Sequence, residues 1–95
     1  MTAIHFTAAA LADLERIRDF LRTHDPDHLV DRIDELLEGL DVLTHAPEIG
    51  RRSGAKSREL VIGRAGRGYV VRYQYMQRVD AVFVMLVRHQ RESGK

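Results

Sequence analysis

The chain has 95 residues, no cysteine and no tryptophan, which is the length of one small domain. Without cysteine there is no disulfide framework, no thiolate metal site and no cysteine nucleophile. With 44% apolar and 31% charged residues, the composition is that of a folded chain rather than a disordered one.

The longest apolar run, residues 81–87, falls far short of the ~20 residues that span a bilayer. Residues 1–15 lack a basic start followed by an apolar stretch, so no signal peptide is visible and a cytoplasmic location is expected. The net charge of +1 conceals a division. Residues 1–48 carry 4 Lys/Arg and 11 Asp/Glu, net −7, and residues 49–95 carry 11 Lys/Arg and 3 Asp/Glu, net +8. The basic charge is 13 arginines with Lys56 and Lys95. Two readings stay open: a cationic surface for nucleic acid or an acidic protein partner, or solvated acidic and basic faces.

Residues 2–6 are short, β-branched and aromatic, and predict an opening strand. Thr7 stands at an N-cap position. Leu11, Leu14, Ile17 and Leu21 follow at helical spacing, giving a helix over 8–22. Asp25-Pro26 opens a second helix, with Asp25 accepting its first N–H groups and proline at the first position. Its stripe is Leu29, Ile33, Leu36, Leu40 and Leu43, widened by Val30 and Leu37. Gly39 is its weak point, at ~1 kcal/mol. The short link predicts an antiparallel helical hairpin.

Residues 46–57 read as a loop. Strands are predicted over 58–62, 69–76 and 81–88, separated by a basic glycine-rich connection and a turn. In the last strand Val82, Val84 and Leu86 point one way, and Ala81, Phe83, Met85 and Val87 the other. Both faces are apolar, so this strand belongs in the middle of the sheet. Short connections make the last three strands an antiparallel meander. The expected fold is α+β: a helical hairpin on one face of a mainly antiparallel four-stranded sheet, in the order β-α-α-β-β-β. The other face is uncovered and carries Arg72.

The chemistry is sparse. His24 and His28 are separated by the helix start between them, so no metal site is expected, and no cofactor motif is present. The glycines of 63–68 lack the Gly-Lys-Ser/Thr ending of a phosphate loop. Ser53, Ser57 and Ser93 have no nucleophile-elbow context. What remains is a basic cluster: Arg51, Arg52 and Arg58 on the loop and first meander strand, with Arg72, Arg88, His89 and Arg91 on the next two. Guanidinium groups hold phosphate or carboxylate through paired hydrogen bonds, and a histidine such as His89 can in principle serve as a proton donor near neutral pH. Tyr69, Tyr73 and Tyr75 alternate along one strand, a pattern that favours packing over base stacking.

Taken together, these pieces resemble a toxin of the RelE/ParE superfamily over almost the whole chain. They are Ala12-Asp13-Leu14-Glu15 with Ile17, the leucine-rich second helix, Pro47-Glu-Ile-Gly50-Arg51, Ser57-Arg58-Glu59-Leu60-Val61, Gly68-Tyr69-Val-Val-Arg-Tyr73, and Asp80-Ala-Val82 leading to Val87-Arg-His89-Gln-Arg91. The resemblance implies one toxin domain over 1–95, from a type II toxin–antitoxin module of the plasmid-stabilisation kind. A cognate antitoxin, ParD-like or another small protein, would mask it in a hetero-oligomer. RelE-like members cleave mRNA on the ribosome; ParE-like members poison DNA gyrase.

The departures favour the ParE-like branch. Ribosome-dependent nucleases place an arginine where this chain has Val70, and their lysine pair is reduced to Lys56. The ending Leu86-Val-Arg-His89-Gln-Arg91 is close to the ParE-like one. On this reading Arg51, Arg58, Arg72, Arg88, His89 and Arg91 form the surface for target or antitoxin. The alternatives are a metal-independent mRNA interferase using Arg58, Arg72 and His89, and a non-toxic member that only binds its antitoxin. No membrane partner is expected.

Overall fold

A computed structural model gives the fold and describes residues 1–63 and 68–90. In chain order the elements are β1 (Ala3–Phe6), α1 (Ala8–His24), α2 (Leu29–Asp41), β2 (Arg51–Arg52), β3 (Arg58–Ile62), β4 (Tyr69–Met76) and β5 (Ala81–His89). The strands form one sheet in the order β1-β5-β4-β3-β2. β1 runs parallel to β5, and the other pairs are antiparallel. The sheet therefore has five strands where the sequence predicts four. The addition is Arg51–Arg52, paired with Glu59 and Arg58. Two residues are too few to show a period, so this strand reads as loop.

Thr7 caps α1 as expected. Its hydroxyl accepts from the Ala10 N–H at 3.1 Å and donates to the Met85 carbonyl at 3.3 Å. The buried residues of α1 are Ala10, Ile17 and Leu21, with Leu14 packed beside them. Leu11 is 51% exposed, so the core stripe starts one residue earlier than predicted, at an alanine small enough to sit against the sheet.

Asp25 does not cap the second helix. The chain first makes a 3₁₀ turn over Pro26–His28, and the Asp25 carboxylate instead meets His28 Nδ1 at 2.7 Å and Arg32 Nε at 3.6 Å. Leu36, Leu40 and Leu43 are buried, while Val30 and Leu37 lie on the exposed side rather than widening the stripe.

β5 is interior, between β1 and β4, but its faces differ from simple alternation. Arg72 pairs with Leu86 and Tyr73 with Val84, leaving Met85 as an extra residue. This bulge flips the parity, so Val87 joins Val82 and Val84 in the core, in place of Leu86. Among the described residues no strand lies on the β1 side of β5 beyond Phe6. There α1 takes over, with Thr7 serving the Met85 carbonyl and Asp13 Oδ2 accepting from the Val87 N–H at 2.9 Å.

Among the described residues α1 packs against β5 and α2 against β3, on one face of the sheet. Tyr69, Val71 and Tyr73 of β4 are fully buried there, so these tyrosines pack the core. The basic 64–67 connection and the tail from residue 91, with Arg91, lie outside the described residues.

Candidate functional site

Strand register sorts the basic cluster. Cross-strand partners share a face, and residues alternate along a strand. Arg72, Arg51 and Arg88 pair with Glu59, Glu59 and Val70 respectively, all on the face away from the helices. Arg58 and His89 pair with Tyr73 and Tyr69, on the helix side.

On the outer face Glu59 is the hub. Arg72 Nη2 donates to Glu59 Oε2 at 2.9 Å, and Arg51 Nη2 lies 3.7 Å from Oε1. The Arg72 hydrogen bond is the main force holding the Glu59 carboxyl below its ordinary value, against the opposing effect of burial. Apolar side chains share the face with this ion pair. His5 stacks on Phe83 with centroids 5.3 Å apart, and Val61 is 53% exposed. Arg72 thus offers a partly neutralised guanidinium, while Arg88 is exposed.

Arg58 is a fastener. Its Nη1 donates to the carbonyls of Glu48 at 3.0 Å and Gly50 at 2.9 Å, and Nη2 lies 3.8 Å from the Glu48 carboxylate. Tyr73 completes the same corner, its hydroxyl accepting from the Gly50 N–H at 2.9 Å. Burial is the main cause raising the Tyr73 hydroxyl above its ordinary value, with the Gly50 bond opposing. Beside this corner is a cleft of about 400 Å³ whose lining includes Glu48, Arg52, Lys56, Arg58, Gln74 and Tyr75.

His89 lies at the other end of the sheet. Its ring meets Tyr69 edge-on at 5.3 Å and Phe20 at 6.4 Å, and Phe20 stacks on His24 at 4.2 Å. With Asp25 and Arg32 these rings line a cavity of about 310 Å³.

The three residues of the alternative nuclease reading therefore do not converge. Arg58 and His89 face the partners Tyr73 and Tyr69, four positions apart on β4, or about 13 Å at ~3.3 Å per residue. Arg72 lies on the opposite face. Of the predicted surface, Arg51 and Arg72 meet at Glu59, and Arg88 lies farther along the same face. Sequence reading missed Glu59 and Asp13. Glu59 was within reach, because antiparallel pairing of 58–62 with 69–76 brings it opposite Arg72.

The sequence model of the family described as "ParE toxin of type II toxin-antitoxin system, parDE" matches residues 4–94. The chain belongs to this family. It is a type II toxin of the RelE/ParE superfamily. The toxin is 29% identical over 92 residues to "Toxin RelE3" of Caulobacter vibrioides, covering 97% of this chain and 98% of that one. Its fold is shared with a chain of "Chromosomal ParDE TA system from P. aeruginosa", TM-score 0.77 at 17% identity, covering 94% of this chain and 96% of the other. It is also shared with a chain of "the intact E. coli RelBE toxin-antitoxin complex", TM-score 0.66 at 18% identity with the same coverage. Among the described residues no helix is long and apolar enough to cross a membrane.

Proposed function

We propose that this toxin is ParE-like in action: it arrests bacterial growth in the cytoplasm by poisoning DNA gyrase, as a binding protein without chemistry of its own, and is neutralised by a cognate antitoxin. The observation that carries this reading is the separation of Arg58, Arg72 and His89. General acid–base cleavage of RNA needs a base, a phosphate clamp and an acid around one phosphodiester. Here Arg58 is committed to the carbonyls of Glu48 and Gly50, Arg72 to Glu59, and His89 packs at the far end beside Tyr69. The outer face, with its mix of exposed apolar side chains and arginines, suits protein contact. We assign target or antitoxin binding to Arg51, Arg72 and Arg88 there.

The competing reading is a RelE-like mRNA interferase, favoured by the kinship to Toxin RelE3. Purified toxin added to a gyrase supercoiling reaction, and separately to a translation reaction with cleavage mapping, distinguishes the two. Inhibited supercoiling with intact mRNA is expected. Cleavage in the ribosomal A site with unimpaired supercoiling overturns the proposal, and inactivity in both assays overturns it in favour of a non-toxic member.

A further inference from the structure

We infer that the cavity between the last turn of α1 and the Tyr69 end of β4 is a binding site for a neutral purine with a carbonyl edge, a guanine-type base or its nucleoside. The site stands apart from the gyrase reading: it lies on the helix side of the sheet and uses none of Arg51, Arg72 and Arg88.

Two polar side chains there lack the partners their burial demands. Three tyrosines alternate along β4, and the hydroxyls of two are bonded, Tyr73 to the Gly50 N–H and Tyr75 to the Asp80 carboxylate. Tyr69 is 1% exposed, yet its hydroxyl makes no hydrogen bond among the described residues. A buried tyrosine hydroxyl ordinarily finds a partner. Tyr69 lines the cavity of about 310 Å³ together with Arg32 and Asp25, and the charges of those two act on its hydroxyl. Arg32 repeats the pattern. Its side chain is 18% exposed, and its one ion pair runs from Nε to Asp25 Oδ2 at 3.6 Å. Both Nη groups are left without a hydrogen bond among the described residues. Asp25 Oδ1 accepts from His28 Nδ1 at 2.7 Å, but each carboxylate oxygen has two lone pairs, so Asp25 keeps capacity to accept.

The remaining walls select a flat ligand. Phe20 stacks on His24 with centroids 4.2 Å apart, and His89 stands 6.4 Å from Phe20. Ring faces beside hydrogen-bonding groups are the arrangement that holds an unstacked base. A water molecule takes up about 30 Å³, roughly a tenth of the cavity. It would satisfy the hydroxyl and leave the rings without a partner. The volume falls at the small end of ligand pockets, roughly 300–1,000 Å³, which suits one nucleoside.

The polar groups then choose the edge. The Tyr69 hydroxyl and the Arg32 Nη groups donate to a carbonyl and the ring nitrogen beside it, as O6 and N7 of guanine provide. The Asp25 carboxylate accepts from the ring N–H and amino group on the other side of that carbonyl. Adenine places an amino donor where guanine has its carbonyl, and so meets donors with a donor. Among the described residues the charges lining the cavity are Arg32 and Asp25, which cancel, so nothing there favours a phosphate over the bare nucleoside.

The test titrates the isotope-labelled full chain with guanosine, adenosine, guanosine 5′-monophosphate and a short oligothymidylate carrying one guanine. Guanosine shifts the ring signals of Phe20, His24 and His89, and adenosine binds at least about tenfold more weakly. Tyr69→Phe weakens guanosine by about three- to tenfold without lowering Tm, since the hydroxyl it removes has no partner in the protein. Asp25→Asn weakens it by about tenfold or more. Unchanged amide signals of Val71 and Val84 report that both variants are folded, and if Asp25→Asn does not fold, Tyr69→Phe decides. The site is refuted if guanosine leaves the rings unshifted, if adenosine binds as well, if Tyr69→Phe binds like the parent, or if either phosphate-bearing probe binds more tightly than guanosine. The last result would make it an anion or nucleic-acid site instead.

Discussion

Replacing Gly39 by alanine sets helix propensity against packing. In an exposed helix the change stabilises by about 1 kcal/mol. At position 39, however, α2 crosses β3 so closely that a Cβ would lie 2.3 Å from Ile62 Cγ2 and 2.9 Å from Cγ1. The first distance is about 1.5 Å inside ordinary carbon contact. Ile62 is buried and β-branched, so it has little freedom to turn aside. Overpacking of this kind costs about 1–3 kcal/mol. We expect Gly39→Ala to destabilise by a net ~1–2 kcal/mol, lowering Tm by about 5–10 °C in a domain of this size. Thermal unfolding followed by circular dichroism measures it. Adding Ile62→Ala removes the offending branches, so the double variant loses less than the sum of the two single losses, by about 1 kcal/mol or more. A Tm that rises in Gly39→Ala, or strictly additive losses, would refute the close approach.

Three further outcomes follow from the same structure. Tyr73→Phe removes the acceptor of the buried Gly50 N–H and costs about 1–2 kcal/mol by urea unfolding; an unchanged midpoint contradicts the bond. Asp13→Ala strips the Val87 N–H of its acceptor and costs about 1–3 kcal/mol, whereas Asp13→Asn keeps an oxygen in place and costs less; equal losses would show that the acceptor is not what matters. The third outcome concerns acid. The Glu59 carboxyl is lowered from its ordinary 4.5 chiefly by Arg72, and that of Asp13 from 3.8, where the Val87 N–H and Arg16 outweigh the opposing burial. The unfolded chain therefore takes up these protons first. The stability they contribute is full above the ordinary values and is lost as pH falls through them toward the lower folded ones. Urea midpoints should drop below about pH 4.5, and Glu59→Gln should be weaker than the parent at pH 7 but flatter on the acid limb; an identical acid limb contradicts the assignment.

Most of the architecture was legible because it rests on periodicity. Leucines at helical spacing and three β-rich runs set the hairpin and the meander, and apolar residues on both faces of 81–88 placed that strand inside the sheet. What escaped had no periodic signal. Alternation cannot reveal the bulge at Met85 when both faces are apolar, so Leu86 and Val87 exchanged roles. Ala10 takes the core position in place of Leu11 because residues 10, 14, 17 and 21 share the helical phase that faces the sheet, and a pattern built on large apolar residues passes over an alanine. Asp25 had the right residue type for a cap but found His28 and Arg32 closer. The basic cluster was visible as composition, but its division between two sheet faces follows from register. Register also made Glu59, an acidic residue in a basic half, the partner that decides what Arg72 offers.

The central claim is tested most directly by incubating the purified toxin with gyrase and plasmid DNA, stopping the reaction with denaturant and measuring broken plasmid. A gyrase poison leaves protein-linked breaks that accumulate with toxin and vanish when the cognate antitoxin is added first. Plasmid that stays intact at toxin concentrations that cut mRNA in a translating ribosome would contradict the account.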